Sequence, residues 1–176
     1  MKVKRIEHVG IVVRDVEASR KLWEGCFGIK LGGTEDNTTR RLALYPVGDS
    51  MVELIAGLTP DSKQAKMIAE GKGGLNHVCL EVENIDEALA ELKAKGIPLL
   101  DQVPRIGHAG CRIAFLDPSA TENCLIELAE LPAGGAHHAA FCQAVTAGDW
   151  EDFAGMAGLE AIRLGADLDL RALRNE

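Results

Sequence analysis

"IEHVGIVVRDVEASRKLWEGCFGI" (residues 6–29) decides the fold, because the chain repeats it as "LNHVCLEVENIDEALAELKAKGI" (residues 75–97). Laid one on the other, His8 falls over His77, 69 residues further on. A valine follows each histidine, and a second valine stands four residues later, at Val13 and Val82. Asp15-Val16 and Asn84-Ile85 come next, and both runs close on Gly-Ile. The chain is an internal duplication, and each copy is one structural unit.

Each copy opens with a strand. Val9, Ile11 and Val13 alternate with His8 and Gly10, and Val78, Leu80 and Val82 alternate with His77, Cys79 and Glu81. The branched side chains therefore face a covering layer, and each histidine looks out of the opposite face. A helix follows. Asp15 and Asn84 are suited to cap it, Ala18, Leu22 and Trp23 or Ala88, Leu89 and Leu92 make its apolar stripe, and Gly28 and Gly96 stop it. Three short strands complete each copy, expected near 30–34, 40–46 and 50–56, then near 98–102, 111–116 and 124–129. The unit is strand–helix–strand–strand–strand, twice. The expected division is 1–57 for the first unit, 58–74 for a linker helix and glycine hinge, 75–131 for the second unit and 132–176 for an appended helical segment. In that last segment Trp150, Phe153, Met156, Leu159 and Ile162 fall at helical spacing, so one apolar face should pack on the core or across a homodimer interface.

Bulk properties narrow the function. The 176 residues are 47% hydrophobic and 26% charged, a globular balance that suits one domain or two intimate halves. A net charge of −8 and a pI of about 5.2 repel nucleic acid and anionic membrane, and an anionic substrate would need a local cation. "MKVKRIEHVG" runs straight into a strand pattern, and no apolar run approaches bilayer length. Cys26, Cys79, Cys111, Cys124 and Cys142 are scattered and odd in number, which fits reduced thiols in a cytoplasm better than a disulfide framework.

The last strands, "MVELIA" (51–56) and "CLIELAE" (124–130), each set one glutamate, Glu53 or Glu127, among aliphatic neighbours. A carboxylate buried there is costly without a counter-charge. If a pseudo-twofold axis relates the copies, His8, Glu53, His77 and Glu127 converge on one point. Two imidazoles and two carboxylates suit a divalent cation such as Co²⁺, Mn²⁺, Zn²⁺ or Ni²⁺, which would also relieve the repulsion between the carboxylates. Neither copy can assemble four ligands alone. His108, His137 and His138 have no repeat partners and are expected to be solvated.

"IEHVGIVVRDVEAS", "VELIAGLTPDSKQAK", "GGLNHVCLEVENIDEALAELKAKGIPLL" and "PRIGHAGCRIAFLDPSATENCLIEL" together resemble the vicinal-oxygen-chelate (glyoxalase/bleomycin-resistance) superfamily over about residues 6–130. Within it the resemblance is closest to the methylmalonyl-CoA epimerases. It implies an α+β fold of paired βαβββ modules forming a half-open, barrel-like curved sheet. It also implies a metal-dependent epimerase or isomerase that moves the α-proton of a carbonyl or thioester substrate, such as an acyl-CoA. His8, Glu53, His77 and Glu127 match the family's metal positions, and Glu127 also matches one of its proton-transfer carboxylates. Gly107, Gly110 and Arg112, in the "PRIGHAG" turn and just after it, have the look of a substrate-holding loop. Other readings within the superfamily are a glyoxalase-type lyase, a dioxygenase, or a non-catalytic protein that binds a small drug molecule.

Three departures stand out. The strand "TTRRLALYP" (38–46), where some relatives carry a second catalytic glutamate, has no acid; Arg40 or Arg41 lies near that place, and Glu35 and Asp36 are expected in a turn upstream. Glu122 and Asn123 stand where relatives tend to have glycines, and Asp117 in "FLDP" replaces a usual histidine.

Overall fold

A computed structural model describes residues 1–132, and the expected helical extension, with His137 and His138, lies outside the described residues. One mixed, curved sheet of eight strands runs in the order β2-β3-β4-β1-β5-β8-β7-β6. Its strands are β1 (Val3–Val12), β2 (Gly33–Asp36), β3 (Arg40–Val47), β4 (Ser50–Gly57), β5 (Gly74–Val82), β6 (Arg105–Ile106), β7 (Arg112–Phe115) and β8 (Leu125–Glu130). The α+β fold is the half-open curled sheet that the family resemblance implies, built from the two duplicated units. At its centre β1 and β5, the two histidine strands, pair antiparallel; β4 then lies parallel to β1, and β8 parallel to β5. Those pairings relate the two copies by a pseudo-twofold axis between β1 and β5.

Alternation along the strands separates two faces. On the outer face, Ile11 and Val13 pack with Val16, Ala43, Tyr45 and Leu54, while Val82 and Leu128 pack with Ile85, Ala88, Leu89 and Leu92 of α3 (Ile85–Ala94). Each such branched side chain taken out of water contributes about 1.5–3 kcal/mol. Asn84 caps α3 through Glu87 N, and Asp15 caps α1 (Val16–Arg20) through Glu17 N and Ala18 N. On the inner face, α2 (Lys63–Ala69) rests Met67 and Ile68 against Val12, Leu42 and Ile55.

Two elements depart from expectation. In the first helix only Val16 is buried; Ala18 and Leu22 are exposed and Trp23 is half-buried. The reason is winding. After Arg20 the chain passes into a wider π-turn over Lys21–Cys26, with Phe27 N bonding Leu22 O, which turns Leu22 away from the sheet while Trp23 still packs against the outer-face cluster. In the second copy, residues 98–102 form no full strand. Leu99 makes one isolated bridge to Leu116, and the edge strand is the two-residue β6 further on. Pro98 lies inside that stretch and cannot donate to a ladder.

The departure at Glu122 and Asn123 has a backbone meaning. Both residues sit in the left-handed region, at φ 51° and 66°, in the turn before β8. Glycine enters that region without strain, whereas a side chain such as glutamate costs of the order of 1 kcal/mol.

Candidate active site

Strand register places the four residues. His8 stands opposite Cys79, which stands opposite Glu127, so one row crosses β1, β5 and β8. A second row runs Glu53–Gly10–His77 across β4, β1 and β5. The rows are pseudo-twofold mates, and both face the interior of the curl. His8 Nε2 and His77 Nε2 lie 2.8 Å apart. Glu127 Oε2 is 3.1 Å from His77 Nε2 and 3.6 Å from His8 Nε2; Glu53 Oε2 is 3.8 and 3.7 Å from the same atoms. All four residues are buried.

Each ring is held from behind. The His8 Nδ1–H donates to Glu7, and the His77 Nδ1–H donates to Asn76 Oδ1 at 3.0 Å. Period-two alternation would turn Glu7 and Asn76 away from the site. They reach it because each is the unpaired residue of a bulge: the β1–β5 register passes from Ile6/Leu80 to His8/Cys79, and from Gly10/His77 to Ile11/Leu75. Holding Nδ1 fixes the tautomer and aims Nε2 at the centre. Gly10 is equally specific. A Cβ at this position would lie 2.1 Å from the His77 ring, so only glycine leaves room for that imidazole. Sequence reasoning singled out none of Gly10, Glu7 and Asn76 as functional, although Glu7 and Asn76 occupy equivalent places in the two repeats.

Electrostatics follow from the crowding. Burial opposes charge on His8, yet contacts with Cys79, Glu127 and Glu7 and the charge of Glu53 outweigh it and raise its pKa well above 6.5. Burial alone would raise the Glu127 carboxyl, but the His77 and His8 imidazoles overcome it and lower the pKa to about 2. Cys79, also against His8, is pushed up to about 12 by burial and stays a thiol. A proton on His8 thus partly balances the carboxylates. His8, His77 and Glu127 form a close group that could hold a divalent cation in its place, with Glu53 3.7 and 3.8 Å from the two imidazoles as a fourth donor, since ligand atoms about 2.1 Å from one ion lie roughly 3.0–3.4 Å apart. Glu7, His8 and Cys79 form a second close group, but Glu7 is engaged behind the ring and the protonated thiol is a poor ligand.

A cleft of about 280 Å³ opens over the quartet, and Arg40, Lys63, Asp101, Arg105, His108 and Phe115 join its lining. Phe115 stacks edge-on to His77 at 5.8 Å and lies beneath the Arg105 guanidinium at 5.3 Å. Arg40 makes no ion pair among the described residues, and its buried Nε lacks a hydrogen-bond partner. Arg112 does not come to this cleft. Ile113 and Phe115 take the inner positions of β7, so Arg112 projects outward to Asp86 of α3, at 2.8 and 2.9 Å, and to Glu130 at 3.4 Å. Gly107 and Gly110 shape the turn instead of lining the cleft: a Cβ at Gly107 would strike Ile113, and Gly110 has φ 74°. His108 in that turn was expected to be solvated, and Glu35 to sit in a turn. The structure puts Glu35 on β2 opposite Leu42, and its carboxylate accepts from His108 Nδ1.

A sequence profile of the Glyoxalase/Bleomycin resistance protein/Dioxygenase superfamily matches residues 7–115. The chain is 34% identical over 127 residues to the mitochondrial methylmalonyl-CoA epimerase of Bos taurus, covering 70% of this chain and 73% of that one. It is 30% identical over 133 residues to the ethylmalonyl-CoA/methylmalonyl-CoA epimerase of Cereibacter sphaeroides, covering 73% and 99%. Its fold is similar to that of a Streptomyces coelicolor methylmalonyl-CoA epimerase in complex with 2-nitronate-propionyl-CoA, with TM-score 0.68, 28% identity, and coverage of 75% and 97%.

Proposed function

The chain belongs to the Glyoxalase/Bleomycin resistance protein/Dioxygenase superfamily, and from that premise we propose that it is a metal-dependent epimerase of 2-substituted malonyl thioesters, with methylmalonyl-CoA as its first candidate substrate. One observation carries the reading: two imidazoles, one from either half, stand 2.8 Å apart at the floor of a cleft, and a carboxylate from either half lies within 3.1–3.8 Å of both. A divalent cation held by His8, Glu53, His77 and Glu127 would supply Lewis acidity for negative charge developing on the substrate's oxygens. Arg40, Lys63 and Arg105 are the local cations that an anionic thioester needs in a chain of net charge −8. Phe115 and Ile113 keep water from the reacting carbon.

In this reading Glu127 exchanges the α-proton. It is ionised at neutral pH in the metal-free site, as an acceptor must be, but the imidazoles there, and a cation it would help to hold, both make it a weak base. Proton transfer therefore requires substrate binding to loosen Glu127 from those partners. Two carboxylates in the quartet count against the dioxygenase reading, whose iron sites use one. The test is incubation of the Co²⁺-loaded protein with one enantiomer of methylmalonyl-CoA in D₂O. The reading expects inversion with deuterium at the α-carbon, and absence of both would defeat it.

A further inference from the structure

Inverting a carbon centre requires a proton to leave one face and another to arrive on the opposite face. Glu127 supplies one side. Among the remaining groups of the cleft that can carry a proton, Glu53 belongs to the quartet, Asp101 pairs with Arg105 at 3.5 Å, and Lys63 is an exposed residue at the start of α2. His108 stands apart from the quartet. It rides the tight turn His108–Gly110 between β6 and β7 in the second half, lines the cleft, and is only 16% exposed in its side chain.

Its partner comes from the other half. Leu42 packs on the inner face with Ile55 and Val12, and Glu35, opposite Leu42 on β2, shares that face. Arg41 and Asp36 pair with each other at 2.6 Å one residue along on β3 and β2. The Glu35 carboxylate meets His108 Nδ1, which joins the outer strands of the two halves across the cleft. A carboxylate at Nδ1 fixes the ring's orientation and the tautomer in which Nε2 is the exchanging nitrogen, the positioning an imidazole needs for acid–base work.

We propose that His108 is the second proton-transfer group of the reaction and Glu35 the residue that positions it, an inference that rests on the epimerase reading. In one direction Glu127 accepts the α-proton; the C–H bond breaks and its electron pair moves into the adjoining carbonyl. His108, protonated, delivers its Nε2 proton to the opposite face as that pair returns to carbon. Glu127 ends protonated and His108 neutral, and exchange with solvent resets both. The reverse direction swaps the roles. The pair also answers the missing glutamate of residues 38–46: the function moves to a neighbouring strand and a facing loop.

The experiment follows inversion and α-deuteration separately, for each enantiomer of methylmalonyl-CoA in D₂O. Wild type performs both. His108→Ala retains deuteration of the enantiomer whose proton Glu127 takes, within about tenfold, while inversion falls by the order of 10²–10⁴. Glu35→Gln lowers kcat for inversion by about 10-fold or more with KM unchanged, and it carries the proposal should His108→Ala fail to fold. Melting temperature and Co²⁺ uptake stay at wild-type values in both. Inversion at the wild-type rate in His108→Ala, or equal losses of inversion and deuteration, overturns the proposal and leaves the epimerase reading standing. Wild type that neither inverts nor deuterates overturns both.

Discussion

The two halves supply the same pair of ligating groups to one point but support them differently. In the first half His8 is backed by the Glu7 carboxylate, and its strand carries Gly10 two residues on; in the second, His77 is backed by the Asn76 amide, and its strand carries Cys79. The small residue on each strand lies beneath the other half's histidine. Gly10 makes room for the His77 ring, whereas buried Cys79 abuts His8. Duplication thus preserves the donors, and the supporting residues have diverged. On the side with the charged support, contacts with Cys79, Glu127 and Glu7 together hold the His8 pKa well above 6.5.

That asymmetry can be broken at the two small residues first. Gly10→Ala drives a methyl group into the His77 ring, so Co²⁺ affinity should fall by about 10–100-fold or more, measured by calorimetric titration. Cys79→Ala at the equivalent place removes volume and the thiol's contact with His8 but drives nothing into the ring, and its effect on affinity should be a few-fold at most. Equal losses in the two variants would show that the halves tolerate intrusion alike.

The fold and the quartet were legible from this same repeat. Period-two alternation put His8 and His77 on one face, and the matched glutamates of β4 and β8 followed from the same parity. What stayed hidden depended on breaks in that parity or on contacts distant in sequence. Glu7 and Asn76 reach the site only through bulges, which a strictly alternating pattern cannot reveal. Glu35 and His108 are 73 residues apart and meet only because the sheet curls. Arg112 was attractive as a cation beside a glycine turn, but its parity on β7 sends it to Asp86. Pro98 marked the failure of the strand expected at 98–102, and no sequence signal announced the π-turn that rotates Leu22 outward.

The supporting residues give the next contrast. Glu7→Gln removes the charge behind His8 and should weaken Co²⁺ binding by about 10-fold, whereas Asn76→Ala, which removes a neutral acceptor, should weaken it less. Reversal of that order would contradict the account of the asymmetry.

Acid–base behaviour of the metal-free protein comes next. His8 is raised above its ordinary 6.5, so its contribution to stability is complete below pH 6.5 and is lost as pH rises through the folded value. Glu127 is lowered from 4.5 to about 2, so its contribution is present above pH 4.5 and is lost as pH falls toward 2. Denaturant midpoints of the metal-free protein should therefore be highest between about pH 4.5 and 6.5 and decline on either side. His8→Gln should remove the decline on the alkaline side and, because His8 also helps to hold the Glu127 carboxyl down, shrink the decline on the acid side.

The smallest effect belongs to the turn before β8, where the two residues at positive φ hold conformations that favour glycine. Glu122→Gly should relieve backbone strain and raise stability by about 1 kcal/mol at most, seen as a rise of a few degrees in melting temperature, with no change in Co²⁺ binding.

The central claim is that one dication is shared by both halves. Co²⁺ titration of the wild-type chain, His8→Ala and His77→Ala, followed by calorimetry, tests it most directly. The account predicts one ion per chain for wild type and loss of that binding when either histidine is removed. Two ions per chain, or full binding after loss of one histidine, would contradict it.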